Sequence, residues 1–228
     1  MTVLVTPMCA RCDRLFGVGE VKEVETRGNI TRIKLTDLTA SLTIYTNKTI
    51  HVEGVKANTG EKKTYLAFLC NLHLREGAGK RNILLAEEVE TVEERVRNGW
   101  ILTTAWLTME RIELLRSAIS SKNQEQENVF SDNFKEAVEH YALDNDKLDA
   151  FASTAINAVK SMWKDYHTKT KETIVELVRK AEKSGIGREK LVRALKTKGL
   201  KEEWVEEVID ELIMEGQCYE TDSGVLKS

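Results

Sequence analysis

The chain has 228 residues, with 34 Lys and Arg against 37 Asp and Glu and a formal net charge of −3. At about 150 residues per domain this is one large domain or two small ones, and an apolar share of 41% is enough for packed cores. No run approaches the ~18 apolar residues of a membrane span, and no basic segment precedes an apolar one after Met1, so no secretory signal is expected.

The four cysteines, Cys9, Cys12, Cys70 and Cys218, are expected to be reduced in an intracellular chain, which needs no disulfide framework. The Cys9 and Cys12 pair has zinc-site spacing, and Cys70 with His73 offers a second pair. Strand alternation argues against that site. Leu66, Phe68, Cys70, Leu72 and Leu74 share one strand face and His73 points to the other. No metal and no cofactor is therefore expected.

Residues 1–98 read as β. The apolar run 15–24 carries Gly17 and Gly19, which let a strand bend sharply. Gly28 marks a turn. In residues 30–36, Ile33 and Leu35 alternate with Arg32 and Lys34, a half-buried strand with a basic outer face. Residues 42–46 repeat the alternation with Tyr45 outward. Residues 47–63 hold an apolar piece around 50–55 and a turn at 58–60. Residues 64–74 and 81–89 are the fourth and fifth strands, joined by 75–80. Five short strands with an insertion between the third and fourth predict a small barrel.

Residues 99–168 read as helical. Ile101, Ala105, Ile112, Leu115 and Ile119 recur at near-heptad spacing, with Leu102, Trp106 and Met109 beside them. Two apolar stripes exceed what a barrel cap needs, so helix 99–119 is expected to assemble with another chain. Within 120–168, residues 120–128 form a polar linker. A second helix then starts at Ser131 or Asp132, with Phe134, Val138 and Tyr141 apolar. After a weak point at 144–146 it continues through Leu148, Phe151, Ala155, Val159 and Met162.

Residues 169–228 have the helix–helix–helix–hairpin order of a winged helix. Helices over 173–184, 188–198 and 201–215 are closed by Gly185, Gly187, Gly199 and Gly216. Strands over 217–221 and 225–227 flank a turn at 222–224. The fold class is thus α+β and multidomain: a five-stranded barrel, a helical middle and a C-terminal winged-helix domain.

The small net charge hides an uneven distribution. Residues 9–81 carry thirteen Lys or Arg against eight Asp or Glu, residues 99–168 seven against eleven, and residues 169–228 twelve against thirteen. A polyanion responds to local positive patches, not to the sum. Single strands need cations along the phosphates and an aromatic platform for a base. Tyr45 is the platform, Arg32 and Lys34 lie on the adjacent strand, and Arg27, Arg75, Lys80 and Arg81 lie on the two flanking loops.

The third helix of the last block carries seven carboxylates, among them Glu203, Glu207, Asp210 and Glu211. They would be repelled by duplex DNA, so this module is expected to dock proteins. Phosphate-loop, dinucleotide, zincin and hydrolase motifs are all missing, and the four histidines share no spacing, so no enzyme is expected.

The stretches VTP at 5–7, RLFGVG at 14–19, VKEV at 21–24 and LTIYT at 42–46 resemble the OB-fold of the archaeal replication protein A family, including its middle, 32-kilodalton-type subunit and the RPA-associated proteins. RNGWI at 97–101 is similar to the helix that follows that barrel, and LIMEGQCYET at 212–221 to the winged-helix tail. The resemblance implies a non-catalytic subunit of a single-stranded DNA-binding complex in DNA replication and repair. It implies a heterotrimer bundled through the helix after the barrel, and weak, auxiliary DNA contacts. It further implies a winged helix that recruits partners such as polymerase or primase, in the cytoplasm at the nucleoid. The alternative is a winged-helix transcription regulator on duplex DNA, which the acidic third helix disfavours.

Overall fold

The computed structural model describes residues 4–47, 63–73, 83–120, 132–181 and 184–228. Two compact units divide the chain, Met1–Lys160 and Ser161–Ser228. Among the described residues no helix is long and apolar enough to cross a membrane.

In the first unit a short hairpin, β1 (Leu4–Val5) and β2 (Arg11–Cys12), precedes the barrel. The barrel strands are β3 (Arg14–Arg27), β4 (Ile30–Thr36), β5 (Ser41–Thr46), β6 (Tyr65–His73) and β7 (Ile83–Val92). They close in the order β3-β4-β5-β7-β6, with β5 and β7 parallel and the other neighbours antiparallel, a connectivity consistent with the OB-fold. The long β3 serves both sides of the closure. Arg14 to Glu20 pair with β6, and Glu20 to Arg27 pair with β4, with an irregularity between Val21 and Glu23. A bulge of this kind bends the strand and raises its twist. Gly17 is demanded by packing, because a Cβ there would lie 2.6 Å from the tip of the Phe68 ring.

The period-two pattern sorts side chains as expected. Ile33, Leu35, Ile44, Leu66, Phe68 and Cys70 are buried in the barrel core, while Lys34 is exposed and Arg32 half-exposed. Burial, with Glu87 nearby, pushes the Cys70 thiol up to about 11. That side chain belongs to the barrel core. Among the described residues no three His, Cys, Asp or Glu side chains gather to hold an ion.

Three helices follow: α1 (Glu94–Ser120), α2 (Asp132–Tyr141) and α3 (Asn145–Lys180). The N-terminal half of α1 lies on the outer face of β3 and β6. The Trp100 ring meets Phe16 edge-on at 4.9 Å, and the Arg97 guanidinium sits 5.5 Å over the Tyr65 ring. The β1–β2 hairpin is tied down by Arg111 Nε donating to the Met8 carbonyl at 2.5 Å and Tyr141 Oη donating to the Val5 carbonyl at 2.7 Å.

Here the expected assembly stripe is corrected. Ile101, Ile112 and Leu115 are buried within the chain itself, and Ala105 and Ile119 are half-buried. Ile112 and Leu115 pack with Leu148 and Ala152 of α3, flanked by Met8, Cys9 and Ile119. The outward stripe holds Leu102, Trp106, Leu107 and Leu114 instead. A helix with apolar residues on nearly every side gives no phase, so periodicity could not tell the inner stripe from the outer.

The expected boundary at 168/169 also falls inside a helix, because α3 runs unbroken for 36 residues. It contains neither Gly nor Pro, and the hydroxyls of Thr170 and Thr173 donate to the carbonyls of Tyr166 and Lys169 one turn back. Those bonds satisfy the two hydroxyls within the helix.

The second unit comprises the last turns of α3, β8 (Ile186–Gly187), α4 (Arg188–Lys196), α5 (Glu202–Met214), β9 (Tyr219–Glu220) and β10 (Val225–Lys227). Its sheet order is β8-β10-β9. The core joins Ile174 and Val178 of α3, Leu191 and Leu195 of α4, Val205, Ile209 and Leu212 of α5, and Leu226 of β10. Gly185 enters this sheet with φ +66°, and a Cβ on it would stand 2.5 Å from Val225 Cγ1 and 2.6 Å from the Leu226 carbonyl oxygen. Both the left-handed backbone and the close approach exclude a side chain. Gly185→Ala is expected to cost about 2 kcal/mol in urea unfolding; a loss within experimental error would refute the packing described.

Candidate functional site

The outer face of the barrel carries one continuous cross-strand row. Register places Arg14 opposite Asn71, Asn71 opposite Leu85, Leu85 opposite Tyr45, Tyr45 opposite Arg32 and Arg32 opposite Glu25. Directly opposed side chains on one face lie about 5 Å apart, so these residues are neighbours in sequence around the barrel. Tyr45 is half-exposed between Arg32 and Leu85, which is 40% exposed. The structure thus brings Tyr45, Arg32 and Lys34 onto one face. Lys34 lies two residues along β4, opposite Thr43 and Glu23.

Electrostatics qualify the cations. Arg32 Nη1 lies 3.4 Å from both Glu23 and Glu25 carboxylates. Against the desolvation that lowers it, Glu23 and then Glu25 hold the guanidinium above its ordinary value. Arg27 stands 3.9 Å from Glu25 and is almost fully exposed. A phosphate on Arg32 would have to compete with two carboxylates, whereas Lys34 makes no ion pair among the described residues. Arg75, Lys80 and Arg81 lie outside the described residues. At the far end of the row Arg14 pairs with Glu87 at 3.3 Å, and Asn71 Nδ2 donates to the same carboxylate at 2.7 Å.

No protein-family model matches the chain, and no curated protein matches it.

Arg14, Asn71, Leu85 and Glu25 are members of the row that sequence reasoning missed; for Leu85 a signal could have been found. That signal was present in Ile83-Leu84-Leu85-Ala86, an apolar run that cannot alternate and so must put at least one apolar side chain outside. Phe16 is a second exposed aromatic, at 50%, and lies against Trp100.

In the second unit the expected docking carboxylates on α5 divide into two groups. Asp210 is bound to Arg188 at 2.6 Å, and the same guanidinium holds Glu206 at 2.6 Å and Glu220 at 2.9 Å. Glu211 accepts from Lys171 at 3.0 Å and faces His167 Nε2 at 2.9 Å. The Lys171 hydrogen bond, with His167 nearby, holds the Glu211 carboxyl below the usual range. Its contribution to stability is therefore present above the ordinary carboxylate pKa and fades as pH falls through the lowered one. Glu203 and Glu207 are exposed and make no ion pair among the described residues. Beside them Trp204 packs on Trp163 at 4.6 Å between centroids and on His167 at 5.1 Å. The three aromatic rings come from two helices, so no single-helix pattern linked them.

Proposed function

We propose that the chain is a non-catalytic subunit of a single-stranded DNA-binding complex of the replication protein A type, serving DNA replication and repair. The observation that carries this reading is the outward row Leu85–Tyr45–Arg32 with Lys34 beside it, on the β4–β5 face of a five-stranded closed barrel. A single aromatic and a cation already shared with two carboxylates fit an auxiliary contact to DNA, not a primary one. The apolar stripe Leu102, Trp106, Leu107 and Leu114 on α1 is the surface through which other subunits of a hetero-oligomer would bind. The last block is read as a winged helix whose α5 presents Glu203 and Glu207 to a protein partner, since exposed carboxylates repel a duplex.

Two measurements test this. Salt-dependent anisotropy with labelled oligothymidylate compares the native chain, together with the subunits that co-purify, with R32A/K34A/Y45A. The variant is expected to bind several-fold more weakly, with a log–log salt slope shallower by about 1.4 for two lost phosphate contacts. An unchanged affinity and slope would make the barrel purely architectural. Leu107→Glu combined with Leu114→Glu is expected to release the partners without lowering the melting temperature. Co-purification that survives would locate the interface elsewhere, and tight duplex binding by the intact chain would favour a transcription regulator.

A further inference from the structure

The first half of β3 has a neighbour on one side only. Its pairing with β4 begins at Glu20, so residues 15–19 are bonded to β6 alone. The phase of that ladder is fixed at both ends, because Val21 N donates to the Thr64 carbonyl and Leu72 N donates to the Asp13 carbonyl. Odd-numbered residues of β3 therefore exchange hydrogen bonds with β6, and the N–H and C=O of Phe16 and Val18 point the other way. Among the described residues neither backbone makes a hydrogen bond on that side.

That edge is not open surface. It forms the floor of a cleft of about 360 Å³ lined by every residue from Leu15 to Gly19, by Thr36, Asp37, Ala40 and Ser41 around the β4–β5 turn, and by Trp100 and Thr104 of α1. Val18 is 6% exposed, so its unpaired amide and carbonyl are costly unless something in the cleft bonds them. Leu35, Leu42 and Phe68 wall the inner side, and Phe16 and Trp100 supply an apolar wall on the outer side.

We propose that this cleft takes an extended segment of a partner protein as an added strand beside β3. Two N–H and two C=O groups at alternate residues match the repeat of another extended backbone. Apolar walls on both sides select apolar side chains at successive positions. Asp37 Oδ1 already accepts from Thr39 and Ala40. A second copy of the chain fits poorly, because each copy's β3 edge lies at the bottom of its own recess and the two could not meet.

Amide exchange followed by NMR on the full chain tests the proposal, with the peptide Ac-KVTVTVK-amide as probe. In the free chain Phe16 and Val18 amides are expected to exchange far faster than those of Gly17 and Gly19. At peptide concentrations of about a hundred times Kd they should slow about a hundredfold. The same peptide with every backbone amide N-methylated should bind at least about tenfold more weakly, and Ser41→Trp, on the exposed rim of the cleft, should block the probe while the other barrel amides keep their protection. The proposal is overturned if Phe16 and Val18 are already protected in the free chain, or if the probe fails to bind at millimolar concentration. Equal binding of the methylated peptide overturns it too. So does protection that appears on raising the chain concentration alone with a dimer in sedimentation, since the occupant is then a second copy.

Discussion

Ile112→Asp is expected to unfold the first unit, with a loss of about 4 kcal/mol or more in denaturant titration. Ile112 is fully buried, and its neighbours Leu115, Leu148 and Ala152 offer no partner to a carboxylate. The substitution removes the transfer energy of the side chain, leaves a cavity and strands a polar group in an apolar site. Ile112→Val is the control and should cost only about 1 kcal/mol. The contrast with Leu114, two positions along the same helix and 61% exposed, is the sharper comparison. Leu114→Asp should leave stability within about 0.5 kcal/mol of the native chain. A larger loss at Leu114 than at Ile112 would mean that the inner and outer stripes of α1 have been assigned the wrong way round.

Arg188→Ala is expected to cost about 3 kcal/mol in the second unit, less than a fully buried pair because Asp210 remains 59% exposed. The guanidinium is only 22% exposed and spans three carboxylates, on α5 at Glu206 and Asp210 and on β9 at Glu220. Burial opposes its charge, but bonds to Asp210, Glu206 and Glu220 hold it firmly protonated. Removing it leaves three like charges converging on an empty place. Arg188→Lys should recover less than half of the loss, since one ammonium cannot reproduce the planar fork. Full rescue by Lys would show that only the charge matters there.

Much of the barrel was legible because strand alternation is a strong signal. Ile33 and Leu35 against Arg32 and Lys34 announce both the strand and its inner face, and Gly17 announces the place where β3 passes over the Phe68 ring. The pairing of β3 with two different strands was not legible. Nothing in residues 14–27 states where one neighbour ends and the next begins; that is decided by the closure of the barrel. Helix α1 failed for the opposite reason, since apolar residues on both faces leave the phase undetermined. The acidic reading of α5 was right about composition, but Arg188 and Lys171 come from other elements, so the sequence of α5 alone could not tell which carboxylates are already bonded. Of the candidate DNA-facing residues, Arg32, Lys34 and Tyr45 share a face as alternation requires. The competition of Glu23 and Glu25 for Arg32 depended on the β3–β4 register.

The division of β3 between two partners carries a kinetic consequence. Its second half meets β4 across a tight turn at Gly28, a contact between residues close in sequence, whereas its first half meets β6 about fifty residues later. Local contacts form before the entropy of closing a long loop is overcome. The β3–β4–β5 meander should therefore be largely built in the folding transition state, and the β6 pairing should be completed after it. Substitutions at the Gly28 turn should slow folding, while those that weaken the pairing of Leu15 with Cys70 should mainly hasten unfolding.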